Sequence, residues 1–425
     1  MPPPGKRAGL TGGAQRIRSG APMPTTWWFA AASVLGWAAV VVAARVARGP
    51  MYARFGAVVL GIHTLLSSAL VHAFGAAFAV CCVLQIATYV HFFALIRPAM
   101  RPAWYRLLIS LPASWFVAGT FLGLPWAVAF GLGFHPAWPW LPYGAALLGL
   151  FDSLFTREEV VDVVLDGATV PDLRRVARGT QRAPRPLRIV QITDPHLGPF
   201  MSVARLRRLC ERAVRRDPDL ILLTGDFLTM ESQGDPQHLT QALEPLRGLP
   251  GRVFACRGNH DLEAPHVVAR ALASAGVTLL IDESAHVETG NGAVEVLGID
   301  FRFRERAAHI AQVIARHPRR SGELRIALLH DPGAFQHVPD GAADLVLSGH
   351  THGGQVGLLW LGIEATIVSA LTSLPDHGFW AKGRNRLYVH RGTGHYGFPL
   401  RVGVPAEHSV LHVHAAPSAE PVSLA

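Results

Sequence analysis

Seven residues stand at the ends of short apolar runs, and each carries a side chain able to bind a metal ion: Asp194, His196, Asp226, Asn259, His330, His350 and His352. Taken singly, an aspartate or histidine is ordinary surface or packing polarity. Seven in one recurring position form a pattern. Carboxylate, imidazole and amide oxygen are hard-to-borderline donors, suited to divalent Mn, Zn, Fe, Ni or Co and not to a thiolate site. His350 and His352 flank a single threonine and precede Gly353 and Gly354, so a tight turn can bring both rings to one centre. A carboxylate such as Asp226 can bridge two cations. Two cations about 3.5–4 Å apart can clamp the attacking and leaving oxygens of a phosphoryl transfer.

The runs that end in these residues read as buried strands. They are Arg188 to Asp194, Leu220 to Thr224, Arg252 to Cys256, Arg325 to Leu329 and Leu345 to Ser348. Leu387 to His390 and Val410 to Val413 complete a late strand set. Between the first two runs, Val203, Leu206, Leu209, Cys210, Ala213 and Val214 recur at helical spacing. Alternating strands and helices make an α/β domain. Sites in such sheets collect beyond the carboxyl ends of strands, on loops that the sheet holds still.

Asp194-Pro-His196, Gly225-Asp226, Gly258-Asn-His-Asp261, His330 and Gly349-His-Thr-His352 together resemble the five signature blocks of calcineurin-like metallophosphoesterases, in that family's order. The resemblance spans roughly Leu187 to Val413. Gly349 to Gln355 and the apolar segments upstream resemble a bacterial multi-pass membrane branch, similar to UDP-2,3-diacylglucosamine hydrolases of lipid A biosynthesis. It implies a four-layer α/β/β/α sandwich. It also implies that Asp194, His196 and His352 hold one metal, that Asn259, His330 and His350 hold a second, and that Asp226 bridges them. His260 would face the substrate as general acid or donor to the leaving oxygen, and Asp261 would orient His260. The implied reaction is in-line attack on phosphorus by a metal-bridging hydroxide, without a covalent phospho-enzyme. Pro195 departs from the family's bulkier or β-branched residue, stiffening the turn and removing an N–H without touching a ligand.

The chain of 425 residues is 50% hydrophobic, with a positive mean hydropathy of +0.27. The apolar residues crowd into the first third. Trp27 to Val46 is uncharged up to Arg45, and Phe55 to Ile96 and Leu107 to Phe151 contain no Asp, Glu, Lys or Arg. A spanning helix needs about 20 apolar residues. The first run fits one helix; the others fit two each, the former turning near Gly75 and the latter broken by His135 to Pro142. The reading is an all-α transmembrane bundle of five spans, or four if the last lies on the surface. Its intramembrane His63, His72 and His91 are read as packing groups. The expected divisions are a basic tail over 1–26, the transmembrane region over 27–155, a juxtamembrane linker over 156–186, the phosphoesterase domain over 187–415 and a tail over 416–425.

The net charge of +9 is concentrated in clusters such as Arg45, Arg48 and Arg54, then Arg97, Arg101 and Arg106, then Arg174 to Arg188. With five spans the first two clusters share a side with the catalytic domain, and the positive-inside rule makes that side cytoplasmic, at the plasma or inner membrane. Lys6, Arg7, Arg16 and Arg18 argue the other way unless Met23 is the start. No basic stripe is interleaved with aromatics, so nucleic acid is not an expected partner. The expected partners are a phosphorylated substrate, lipid-linked in the favoured reading, and membrane lipids. Cys81, Cys82, Cys210 and Cys256 form no disulfide or CxxC pattern. Arg401, Asp300, His390 and His395 are weaker candidates outside the chosen set, Arg401 reading equally as a surface residue. The competing functions are a nucleotide or nucleic-acid phosphodiesterase of the same fold and a catalytically silent membrane scaffold.

Overall fold

The computed structural model describes residues 25–177, 185–397 and 401–415. The basic tail up to residue 24, Arg178 and Arg182, residues 398–400 and the tail 416–425 lie outside the described residues.

The first third is helical. It comprises α1 (Thr25–Ala47), α2 (Pro50–Leu70), α3 (Phe78–Ala94), α4 (Ala103–Tyr105), α5 (Leu111–Leu122), α6 (Leu124–Gly131) and α7 (Leu141–Leu154). A π-turn at Arg106–Ser110 joins α4 to α5. Three stretches are long and apolar enough to cross a membrane: Thr26–Ala47, Pro50–Ala94 and Ala103–Leu122. The second folds back on itself, because Gly75 adopts φ 45°, ψ −112° and breaks the helix there. Antiparallel pairing follows: His63 Nε2 lies 3.0 Å from Gln85 Oε1, and the Thr64 and Tyr89 hydroxyls are 2.7 Å apart. His63 thus packs between the two helices with its Nε2 engaged by Gln85. The fifth expected span is α7, whose 14 residues cover about 21 Å, short of the roughly 30 Å hydrocarbon layer. One face of it packs on α5, with Tyr143 stacked on Phe116 at 5.7 Å.

Two sheets follow. The strands are β1 (Thr156–Leu165), β2 (Val170–Arg175), β3 (Leu187–Ile192), β4 (Leu220–Leu223), β5 (Val253–Ala255), β6 (Thr278–Leu279), β7 (Glu283–Thr289), β8 (Gly292–Ile299), β9 (Leu324–Leu329), β10 (Leu345–Ser348), β11 (Gly378–Gly383), β12 (Asn385–Val389) and β13 (Ala406–Ala415). One sheet runs β1-β13-β3-β4-β5-β6 and the other β2-β11-β12-β10-β9-β8-β7. Period-two alternation splits each strand between two cores. Ile189 and Leu222 face Val296, Ile326 and Leu347 between the sheets. Val190 and Ile221 face outward onto α8 (Val203–Arg215), α9 (Pro236–Leu243) and α10 (Pro265–Ser274). On the far side Leu297, Ala327 and Val346 face α11 (Arg306–Arg316). A short α12 (Ile367–Leu371) lies beyond the second sheet. The four layers are helix, sheet, sheet, helix.

The stretch expected as a linker contributes a strand to each sheet instead. β1 pairs in parallel with β13 over ten residues, and β2 pairs antiparallel with β11. Val161, Val163 and Leu165 sit in the core between the sheets. The Arg-, Pro- and Gly-rich run after Leu173 masks the alternating valines before it.

The helical region rests on the domain through the two arginine-bearing turns. Arg48 Nη2 donates to Gln233 Oε1 at 3.1 Å. The Pro98 carbonyl closes on Gly234. Buried Glu231 faces Arg101 and Arg106; burial pushes its carboxyl up to about 7 against the pull of both guanidiniums. Met230 packs against the bundle core of Val40, Leu60, Phe92, Leu95 and Val117.

Candidate metal centre

The seven expected ligands all emerge from strand ends on one rim. Asp194 and His196 follow β3, Asp226 follows β4 and Asn259 follows β5; His330 follows β9, and His350 and His352 follow β10. Parallel pairing of β3, β4 and β5, and of β8, β9 and β10, aligns those ends. The rim loops are tightly built. Asp194 (φ 50°), His196 (45°), Asp226 (58°), His350 (70°) and His352 (51°) all adopt the left-handed conformation, rare for residues with a Cβ. Strained backbone of this kind persists where the surroundings over-determine it, and it clusters at functional sites. Glycine is required beside it: a Cβ at Gly349 would overlap the Asp194 carboxylate, and one at Gly225 the Gly258 backbone.

Two groups of donors converge. Asp194, His196 and His352 form one, and Asp226, His330 and His350 the other; within each, candidate ligand atoms lie within 4.8 Å of one another. In the first, the Nε2 atoms of His196 and His352 are 3.2 Å apart, and Asp194 Oδ1 is 3.5 Å from the latter. Asp226 Oδ2 is 3.6 Å from His196 Nε2 and 3.3 Å from His330 Nε2, so one carboxylate stands between the groups. Backbone carbonyls set the ring faces. His196 Nδ1 meets Leu228 O at 3.3 Å and His330 Nδ1 meets Thr224 O at 2.6 Å. An Nδ1–H donated outward leaves Nε2 free to point into the centre.

The donors fit a bound cation. Asn259 Oδ1 and His330 Nε2 are buried atoms without a hydrogen-bond partner. Buried polar groups are mostly paired, so two unpaired donor atoms on this rim suit cation ligation. Burial lowers the His196 pKa to about 3 and the His350 pKa to about 4, which keeps both rings neutral as ligation needs. Burial alone would lower His330 too, but the adjoining Asp226 carboxylate raises it to about 10. Metal binding there displaces a proton.

His260 faces the same space. Its ring meets His196 edge-on at 5.4 Å and stacks on Tyr396 at 4.2 Å, and its backbone N–H donates to Asp226 Oδ1 at 2.9 Å. Burial opposes a proton on the ring, but the hydrogen bond to Glu263 and the charges of Asp226, Glu263 and Asp261 outweigh it, so the pKa is raised.

The expected partner of His260 is replaced. Asp261 turns away from the ring and accepts the backbone N–H groups of Asp226 at 2.7 Å, Phe227 at 2.8 Å and Gly258 at 2.8 Å. Glu263 Oε1 holds His260 Nδ1 at 2.9 Å. The turn His260–Glu263 is 3₁₀-helical, which puts residues i and i+3 on one face and leaves i and i+1 apart. That spacing is the signal in the sequence for Glu263.

The weaker candidates divide. Arg401 is fully buried, not on the surface; its Nη2 donates to Arg391 O at 2.7 Å and lies 3.1 Å from His352 Nδ1. Asp300 holds Arg257, two residues before Asn259, through contacts of 2.9 and 2.6 Å. His390 Nδ1 accepts Gly392 N–H at 2.9 Å, and His395 packs on Phe200 at 4.3 Å. Neither ring belongs to the two donor groups.

The domain is similar in sequence to known proteins. The family model for calcineurin-like phosphoesterases matches residues 187–354. The phosphodiesterase YaeI of Escherichia coli (strain K12) is 29% identical over 220 residues, 51% of this chain and 78% of its own length. The UDP-2,3-diacylglucosamine pyrophosphatase LpxG of Chlamydia trachomatis is 26% identical over 286 residues, covering 53% of this chain and 84% of its own. A transmembrane protein with metallophosphoesterase domain from Danio rerio is 31% identical over 237 residues, 52% of each chain. Residues 187–354 thus form a calcineurin-like phosphoesterase domain, similar in sequence to a phosphodiesterase and to UDP-2,3-diacylglucosamine pyrophosphatases.

Proposed function

We propose that this protein is a membrane-anchored two-metal phosphoesterase that hydrolyses a phosphodiester or pyrophosphate bond in a lipid-linked substrate, UDP-2,3-diacylglucosamine being the leading candidate. One observation carries the reading: the donor rim abuts the helical bundle. A cavity at the junction is lined by His91 of α3, by Leu95 just beyond its end, and by His196, Phe200, His395 and Tyr396 of the domain. A substrate with its phosphate at the rim keeps an apolar tail beside the helices. The basic turns at Arg48 and Arg101 lie on the domain's side, which supports a cytoplasmic active site at the plasma or inner membrane.

Asp194, His196 and His352 would hold one cation and Asn259, His330 and His350 the other, with Asp226 standing between the two groups. Two bound divalent cations supply Lewis-acid activation of water and neutralise phosphate charge. The protein's own groups do the rest. Backbone carbonyls fix the tautomers of His196 and His330. Asp261 ties the loops of Asp226 and Gly258 into one rigid unit. His260, oriented by Glu263, donates to the departing oxygen.

The deciding assay uses detergent-solubilised, manganese-supplied protein with UDP-2,3-diacylglucosamine beside bis-p-nitrophenyl phosphate, and Asp226→Ala as control. Turnover of the lipid nucleotide that is lost in the variant establishes the reading. Turnover of the simple diester alone removes the lipid substrate and leaves the phosphoesterase chemistry.

A further inference from the structure

A continuous chain of hydrogen bonds runs from the helical bundle to His260. Arg48 follows the last turn of α1, its backbone N–H donating to Ala44 O at 2.9 Å, and its guanidinium lies 4.9 Å from the Tyr52 ring centre at the start of α2. From there Arg48 Nη2 donates to Gln233 Oε1 at 3.1 Å. Gln233 Nε2 donates to Glu263 Oε2 at 2.7 Å. The other carboxylate oxygen of Glu263 holds His260 Nδ1 at 2.9 Å. An amide is suited to the middle of this chain, because its oxygen accepts from a cation while its nitrogen donates to a carboxylate.

We infer that Arg48 and Gln233 are positioning residues for His260, so that the helical bundle completes the active site rather than only tethering it. The inference rests on reading His260 as the group that faces the leaving oxygen. Three facts favour a positioning role over a merely stabilising one. The side chains of Glu263 and His260 are 34% and 23% exposed, so each bond at this rim adds little to folding stability. Both oxygens of Glu263 are engaged, one by the ring and one by Gln233, which fixes the carboxylate's rotation and with it the ring. The ring's opposite constraint is the Tyr396 stack, which restrains its plane but not its rotation within that plane. An arginine that ordinary membrane topology would leave at the lipid headgroups is instead spent on an amide beside the catalytic rim.

The test uses the full chain in detergent with manganese, comparing wild type, Gln233→Ala, Arg48→Ala, Arg48→Lys and His260→Ala. The substrates are a p-nitrophenyl and an unsubstituted phenyl phosphodiester, which differ in how far the leaving oxygen needs a proton. Gln233→Ala and Arg48→Ala are expected to lower kcat on the phenyl ester by about tenfold, a fraction of what a general acid contributes, with little change on the p-nitrophenyl ester or in KM. Arg48→Lys, which keeps a donor, restores part of the loss. A readout independent of turnover is carbethoxylation of His260 by diethyl pyrocarbonate, followed by peptide mass spectrometry; release of the ring makes it faster in Gln233→Ala. If His260→Ala shows the leaving-group dependence and Gln233→Ala shows neither that dependence nor faster labelling, the positioning role is overturned and the acid role stands. If His260→Ala loses both esters equally or neither, the acid role itself fails and the inference falls with it. Metal content equal to wild type in Gln233→Ala excludes collapse of the centre as the cause.

Discussion

Asp261 accepts the backbone N–H of Asp226 at 2.7 Å, so a carboxylate that binds no metal holds in place the one that stands between the two donor groups. Two further N–H groups, of Phe227 and Gly258, end on the same carboxylate. In Asp261→Asn the amide nitrogen faces at least one of these donors. Leaving a buried N–H unpaired costs about 1–3 kcal/mol. The variant is expected to bind less metal and to melt at a lower temperature. Full metal content with a defect only on poor leaving groups would instead return Asp261 to an orienting role for His260.

Gly349 has no room for a side chain. A methyl group there overlaps the Asp194 carboxylate and the Thr193 hydroxyl. Gly349→Ala is therefore expected to lose the metal of the Asp194 group while the protein remains folded. Elemental analysis beside circular dichroism tests this, and an unchanged metal count contradicts the packing described.

β1 yields a paired prediction. Val163 is fully buried between the sheets and Val160 is 55% exposed. An aspartate at Val163 is an unpaired charge in the core, costing several kcal/mol. One at Val160 is expected to shift stability by less than about 0.5 kcal/mol. Thermal unfolding of Val163→Asp and Val160→Asp distinguishes a structural strand from a linker, which would tolerate both.

Asp282 supplies a pH-dependent term remote from the donor rim. Burial tends to raise its carboxyl, but the hydrogen bond from His309 at 2.8 Å, the Asp300 N–H at 3.0 Å and the nearby Arg316 hold it below an unperturbed aspartate's 3.8. A carboxylate with a depressed folded-state pKa stabilises the fold fully above its unfolded value, and the benefit disappears as pH falls through the folded value. Asn tolerates the left-handed backbone of Asp282, φ 57°, so Asp282→Asn isolates the charge. Its melting temperature is expected to lie below wild type at neutral pH, with the gap closing as pH falls through and below 3.8. A gap that is constant with pH would assign the loss to packing instead.

The placement of the seven donor residues was legible in the sequence because metal-type side chains recur at strand ends, where an α/β sheet gathers them. All seven fall on one rim. The same logic located the break at Gly75, where uncharged sequence twice the length of a span must turn. What escaped is what spacing does not encode. Glu263 was hidden because the adjacent Asp261 offered a simpler partner, and only the 3₁₀ turn separates their directions. Arg401 was hidden because a buried arginine has no pattern of its own; its Nη1 and Nη2 donate to carbonyls that come together in the fold. β1 was hidden by the charged residues of its own first half, Arg157, Glu158 and Glu159, although Val161, Val163 and Leu165 face the core between the sheets.

Five of the donors sit in left-handed backbone, each at a cost on the order of 1–3 kcal/mol. These positions are trapped against gradual change. Glycine would relax the main chain but delete a donor, whereas a β-branched residue would deepen the strain and also lack the chemistry. Neither change both eases the backbone and keeps the donor. Sequence drift around the rim is thereby channelled into the layers behind it, where Arg401, Asp261 and Glu263 stand, and a relative that has lost its chemistry should first betray itself by relaxing to glycine at Asp194, His196, Asp226, His350 or His352.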